Sequence, residues 1–79
     1  MISLRLYVRE DCHLCEDMLY QLKTLQIELN FTLEIRDVDS NPLWLKNYHE
    51  WVPVLKLGDQ EICHYHLDLH ALKRALEFT

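Results

Sequence analysis

The chain opens on an alternation. Ile2, Leu4, Leu6 and Val8 alternate with Ser3, Arg5 and Tyr7, and a period of two predicts a strand with one buried face. After the polar break at positions 9–13 the period lengthens. Cys15, Met18, Leu19, Leu22, Leu25 and Leu29 recur every three or four residues, which predicts an amphipathic helix from Cys12 to about Leu29. Asp11 is the expected N-cap, with Cys12 at the first helical position. Glu16 and Asp17 fall in the first turn, where the helix dipole favours acids, and Asn30 is the expected stop.

Alternation then returns. Phe31, Leu33 and Ile35 predict a second strand. Asp39 and Ser40 are capping candidates for a short helix that carries Pro42 near its start and runs to about Tyr48. Two short strands, Pro53–Leu57 and Glu61–Cys63, flank a turn at Gly58–Asp59 and predict a hairpin. Pro53 begins its strand, where a missing N–H is tolerated. The final stretch, positions 67–78, places Leu69, Leu72, Ala75 and Leu76 on one face of a C-terminal helix. The order is β-α-β-α-β-β-α. The helix between the first two strands predicts a parallel pair with a right-handed crossover.

Length and charge narrow the function classes. The 79 residues make one domain, and a chain of this size buries only roughly 60–65% of its unfolded surface. With 49% apolar and 27% charged residues the composition is that of a globular protein. A net charge of -5, with scattered Lys and Arg, argues against a nucleic-acid footprint. No apolar run reaches the ~18–20 residues of a membrane span. The N-terminal stretch lacks the pattern of a signal or transit peptide. The expectation is a cytoplasmic monomer.

Three cysteines are too few, and odd, for a secreted disulfide framework. Cys12 and Cys15 are three positions apart, which fits a redox pair, half of a metal site, or chance proximity. Their setting separates these readings, because the pair follows a strand and opens a helix within a βαβ unit. A helix N-terminus supplies unpaired N–H groups and positive potential, so Cys12 is expected to have a modestly lowered thiol pKa. Glu10, Asp11, Glu16 and Asp17 oppose that shift, while Arg9 and a protonated His13 assist it. Cys12 is then the candidate nucleophile and Cys15 the resolving thiol. A second cluster, Cys63, His64 and His66, joins the pair only if the site holds zinc; otherwise Cys63 is a core residue. Asp37 and Asp39 read as a strand-end turn and helix cap. Trp44, Tyr48 and Trp51 read as cover for the thin core or as substrate-lining rings, and Tyr7 as strand packing or a substrate contact. His70 is expected on the solvent face of the last helix.

Over nearly its whole length the chain resembles short glutaredoxin-like proteins of the thioredoxin fold. The resemblance rests on the element order, on the motif through Cys12 and Cys15 after the first strand, and on Trp51-Val52-Pro53 opening the hairpin. It implies a four-stranded mixed sheet of order 2-1-3-4 with helices on both faces. It also implies thiol–disulfide exchange without a bound cofactor, with glutathione or a disulfide-containing protein as partner. Pro53 would be cis, Val52 would offer its backbone to an extended substrate, and Arg9 would hold a carboxylate. The family's Gly-Gly after the fourth strand, followed by an Asp that holds the amino-acid end of glutathione, matches positions 63–68, where the glycines are replaced by bulkier residues and Asp68 is displaced by one position. That departure bears on glutathione binding. The alternative is a binding module or thiol or metal sensor that reuses the fold.

Overall fold

The computed structural model describes residues 1–77; Phe78, which the helical pattern included, lies outside the described residues. Strand β1 (Ile2–Val8) leads into helix α1 (His13–Leu25), β2 (Phe31–Asp37) and α2 (Pro42–Tyr48). Then β3 (Val54–Leu57), β4 (Gln60–His64) and α3 (Leu69–Glu77) follow. The sheet order is β2-β1-β3-β4. β1 and β2 are parallel, with Leu4 opposite Leu33. β3 runs antiparallel to β1, with Leu6 opposite Leu55, and β4 runs antiparallel to β3. Among the described residues no helix is long and apolar enough to cross a membrane.

The even-numbered residues of β1 face the main core as the alternation requires. Leu4 and Leu6 join Phe31, Leu55 and Cys63 of the sheet with Met18 and Leu22 of α1 and Leu72 of α3. The opposite face is covered too. Tyr7 is buried with Val38 and Val54 beneath Trp44, Leu45 and Tyr48. Its ring lies 4.4 Å from that of Tyr48 and 5.7 Å, edge-on, from that of Trp44. Tyr7, Trp44 and Tyr48 are therefore packing residues of a second, smaller core. Ile35 departs from its expected side of the pattern. It is 48% exposed, on a strand that lies at the edge of the sheet.

The helix boundaries shift where capping decides them. Cys12, rather than Asp11, is the N-cap of α1, and Asp11 instead has a left-handed backbone, φ 55°. The helix ends at Leu25 rather than about Leu29, since the amides of Glu28 and Leu29 both turn back to the Leu25 carbonyl. The Gln26 side chain then bonds the Phe31 carbonyl. Asn41, not Asp39 or Ser40, caps α2 through the amides of Leu43 and Trp44. Asp37 closes a separate 3-10 turn at Val38–Ser40 by accepting from the Asp39 amide. Pro53 lies just outside β3, and β4 extends one residue further at each end than expected.

This topology brings three connections to one end of the sheet. β1 ends there at Val8, next to Asp37. β3 starts there, with Val54 beside Tyr7, and β4 ends there, with His64 beside Val54. The segments 9–12, 51–53 and 65–68 consequently share one rim.

Candidate functional site

Cys12 sits where a strand hands over to a helix, so its sulfur occupies the N-cap position that Ser or Asp fills in other helices. The Cys15 amide donates to Cys12 Sγ at 3.2 Å. The two sulfurs are in bonding contact, with Cα atoms 5.2 Å apart. They differ in access. Cys12 is partly exposed, whereas Cys15 is buried, at 3% exposed. The Cys15 amide and the helix N-terminus together put positive potential at the Cys12 sulfur. The outer sulfur can meet a substrate, and the inner one can reach only its neighbour.

The Val52–Pro53 peptide bond is cis, and Pro53 is buried. Its carbonyl accepts from the Tyr65 amide at 3.0 Å. The Val52 backbone makes no hydrogen bond to another described residue, so its N–H and C=O remain available on the rim. Arg9 is engaged by the chain itself: Nε and Nη2 donate to the two carboxylate oxygens of Asp39 at 3.3 and 3.2 Å. A substrate carboxylate would have to displace Asp39. The His13 side chain is 97% exposed, 3.8 Å from a Glu16 carboxylate oxygen, and faces solvent rather than the sulfurs. Asp68 serves as a cap for α3, accepting from the Ala71 amide at 3.0 Å.

The second cysteine cluster does not assemble. Strand alternation sends Cys63 into the core and His64 outward, where His64 Nδ1 meets Glu61 at 2.9 Å. Among the described residues no three of His, Cys, Asp and Glu converge to hold a metal ion, so the zinc set of Cys12, Cys15, Cys63, His64 and His66 is not formed. Burial pushes the Cys63 thiol above its ordinary pKa, against a smaller opposing effect of the Asp68 backbone. Because the folded value is raised, the stability that Cys63 contributes is full below the thiol's ordinary pKa and falls as pH rises through the raised value. Native, reduced protein treated with iodoacetamide at about pH 8, near the ordinary thiol range, is expected to label Cys12 and spare Cys63. Peptide mass mapping checks this, and equal labelling would contradict it.

Tyr65 is the rim residue that periodicity alone did not single out. It has a left-handed backbone, φ 63°, and its hydroxyl donates to the Glu50 carbonyl at 2.8 Å. Its ring lies 6.0 Å from that of Trp51 and 4.8 Å from that of His64. Trp51 is thus an exposed rim ring rather than core cover. The available signal was the replacement of glycines by a bulky residue in a loop that must turn sharply.

Comparison with known proteins agrees with this fold. Protein Ne2328 from Nitrosomonas europaea, solved by NMR, is 39% identical over 94% of this chain and 89% of its own, with a TM-score of 0.82. The X-ray structure of protein XcR50 from X. campestris is 27% identical over 96% and 97% of the two chains, with a TM-score of 0.69. Thioredoxin 1 from Thermosipho africanus TCF52B, at 21% identity, a TM-score of 0.66 and coverage of 98% and 97%, shares the fold. No curated protein matches the chain. A family model described as "Glutaredoxin-like domain (DUF836)" matches residues 3–77, and the chain belongs to that glutaredoxin-like family of the thioredoxin fold.

Proposed function

We propose that the protein is a thiol–disulfide oxidoreductase in which Cys12 attacks and Cys15 resolves. The observation that carries this is the asymmetry of the pair: a partly exposed Cys12 at the helix N-cap with an amide on its sulfur, and a buried Cys15 bonded to it. In the reduced protein the Cys12 thiolate attacks a substrate disulfide. One substrate sulfur leaves as a thiolate and takes a proton, and a mixed disulfide forms. Cys15 then loses its proton and attacks Cys12 Sγ, which expels the second substrate sulfur. The substrate gains two electrons and two protons, and the Cys12–Cys15 disulfide holds the oxidising equivalent. The pair needs no bound cofactor. Glutathione or a partner dithiol returns the electrons, and the cytoplasm is the compartment where such a pair is kept reduced. Val52 supplies backbone hydrogen bonds to an extended substrate beside Pro53.

The test is a Cys15→Ser variant incubated with a disulfide substrate. The mixed disulfide on Cys12 is expected to accumulate and to be visible by intact mass, while the wild type releases a dithiol product. A redox titration of the wild type should place the pair near the cytosolic glutathione poise, about -220 to -320 mV. No adduct, and no turnover with either glutathione or a protein disulfide, would favour the binding-module or sensor alternative instead.

A further inference from the structure

A groove of about 400 Å³ opens beside Leu14, the residue next to Cys15, between α1 and the connection from β4 to α3. Leu14, Asp17 and Met18 form one wall, and Tyr65, His66 and Leu67 the other. A second hollow of about 340 Å³ continues along the same helix and shares Tyr20, Gln21 and Leu67 with the first. It adds Thr24, Leu25 and Leu69. From Leu14 to Leu25 the helix rises about 16 Å, at about 1.5 Å per residue. An extended chain covers that distance in about five residues.

The chemistry changes along the groove. The end near the cysteines carries Asp17, and the far end is apolar, with Leu69 41% exposed. Among the described residues neither hollow is lined by Lys or Arg, and Arg9 is already paired with Asp39. Glutathione brings two carboxylates, to which the described residues lining the groove offer no Lys or Arg, and it is shorter than the groove. A polypeptide with a basic residue near its cysteine and apolar residues beyond it matches both the charge and the length.

We infer that the groove along α1 binds an extended, basic and apolar polypeptide segment adjoining the disulfide of a protein substrate. This rests on the thiol–disulfide reading of Cys12 and Cys15, and names the substrate class for that site. The basic residue lies against Asp17, and the apolar side chains lie between Tyr20, Leu67 and Leu69.

Two measurements separate this inference from the reading beneath it. In the first, a short fluorescent peptide with Ser in place of its cysteine, Arg beside it and Leu and Val beyond is titrated with the protein by anisotropy. Saturable binding is expected, weakened at least about fivefold in Thr24→Arg and in Leu69→Asp. Both variants change exposed positions, and Leu69→Asp places an acid in the first turn of α3, where a helix accepts it; circular dichroism confirms the fold of each. In the second, 5-thio-2-nitrobenzoate mixed disulfides of the cysteine peptide and of glutathione are compared by kcat/KM. The peptide is expected to be favoured by about tenfold or more, with that ratio falling in both variants. Absence of saturable binding, or binding untouched by both variants, overturns the groove assignment even if both mixed disulfides turn over. Binding that follows the variants, with no turnover of either, leaves the groove standing and removes the oxidoreductase reading.

Discussion

Cys12→Ser is expected to abolish disulfide turnover, by on the order of a thousandfold or more, without unfolding the protein. The two halves of that expectation come from one geometric fact. Cys12 is both the more exposed residue of the pair and, through Sγ, the N-cap acceptor for the Cys15 amide. A serine hydroxyl cannot accept the oxidising equivalent, but it is a better N-cap than a thiol and keeps the amide satisfied. Under reducing conditions, thermal melts of Cys12→Ser should therefore match or exceed those of the reduced wild type. Cys12→Ala should lose the same activity and also about 1 kcal/mol of stability, because the cap is gone. Activity assays and melts on the two variants separate the chemical role from the structural one. Substantial turnover in Cys12→Ser would show that another group starts the reaction.

Leu22→Ala is expected to cost about 2–5 kcal/mol. Leu22 is 0% exposed on the inner face of α1 and packs in the main core with Leu4, Leu6 and Leu72. The domain is small, and total stabilities of such domains run at about 5–15 kcal/mol, so this change removes a large share of the margin. The melting temperature should fall by roughly 10–30 °C. Urea unfolding of the variant should show a lower midpoint with an unchanged slope. A loss below about 1 kcal/mol would mean that α1 settles into the vacated space. Leu22→Met, which nearly conserves volume, should cost less than about 1.5 kcal/mol and serves as the control.

The elements, their order and the sheet topology were legible because each strand and helix carries its own period. The alternation of β1 and the three-four spacing of Met18, Leu22 and Leu25 suffice to place the main core. The second core was harder to read. Tyr7 stands on the face of β1 shared with Ser3 and Arg5, and only the docking of α2 buries it. Burial there is a property of the partner element rather than of the strand. Capping failed for another reason. Cysteine is not among the usual N-cap residues, so Asp11 looked the better candidate although its backbone is left-handed. Asp39, Ser40 and Asn41 are all capping types, and the Pro42 ring decides among them, since a proline at the first helical position makes its predecessor the cap.

The dithiol itself was legible from spacing and setting, and the structure sharpened the roles of its neighbours. The resemblance implies that Arg9 holds a substrate carboxylate, and in this structure its guanidinium is engaged by Asp39 of the same chain. His13 was read as tuning the thiolate, yet its side chain stands in solvent beside Glu16. Asp68 spends its carboxylate on the Ala71 amide. These outcomes depend on side-chain direction and on competition among partners far apart in sequence, which no local pattern encodes.

Tyr65 holds a left-handed backbone that glycine would adopt at less cost. The conformational penalty, on the order of 1 kcal/mol, is carried permanently by the folded state. What the chain retains for it is a ring against Trp51 and a hydroxyl on Glu50, so that the loops on either side of β3 and β4 are fastened together. Directed selection for thermal resistance alone would find two opposed forces at position 65. Relaxed torsion favours glycine, and the fastening favours tyrosine. The balance between them makes this site a sensitive place to ask whether the protein trades robustness for a stiff rim beside its sulfurs.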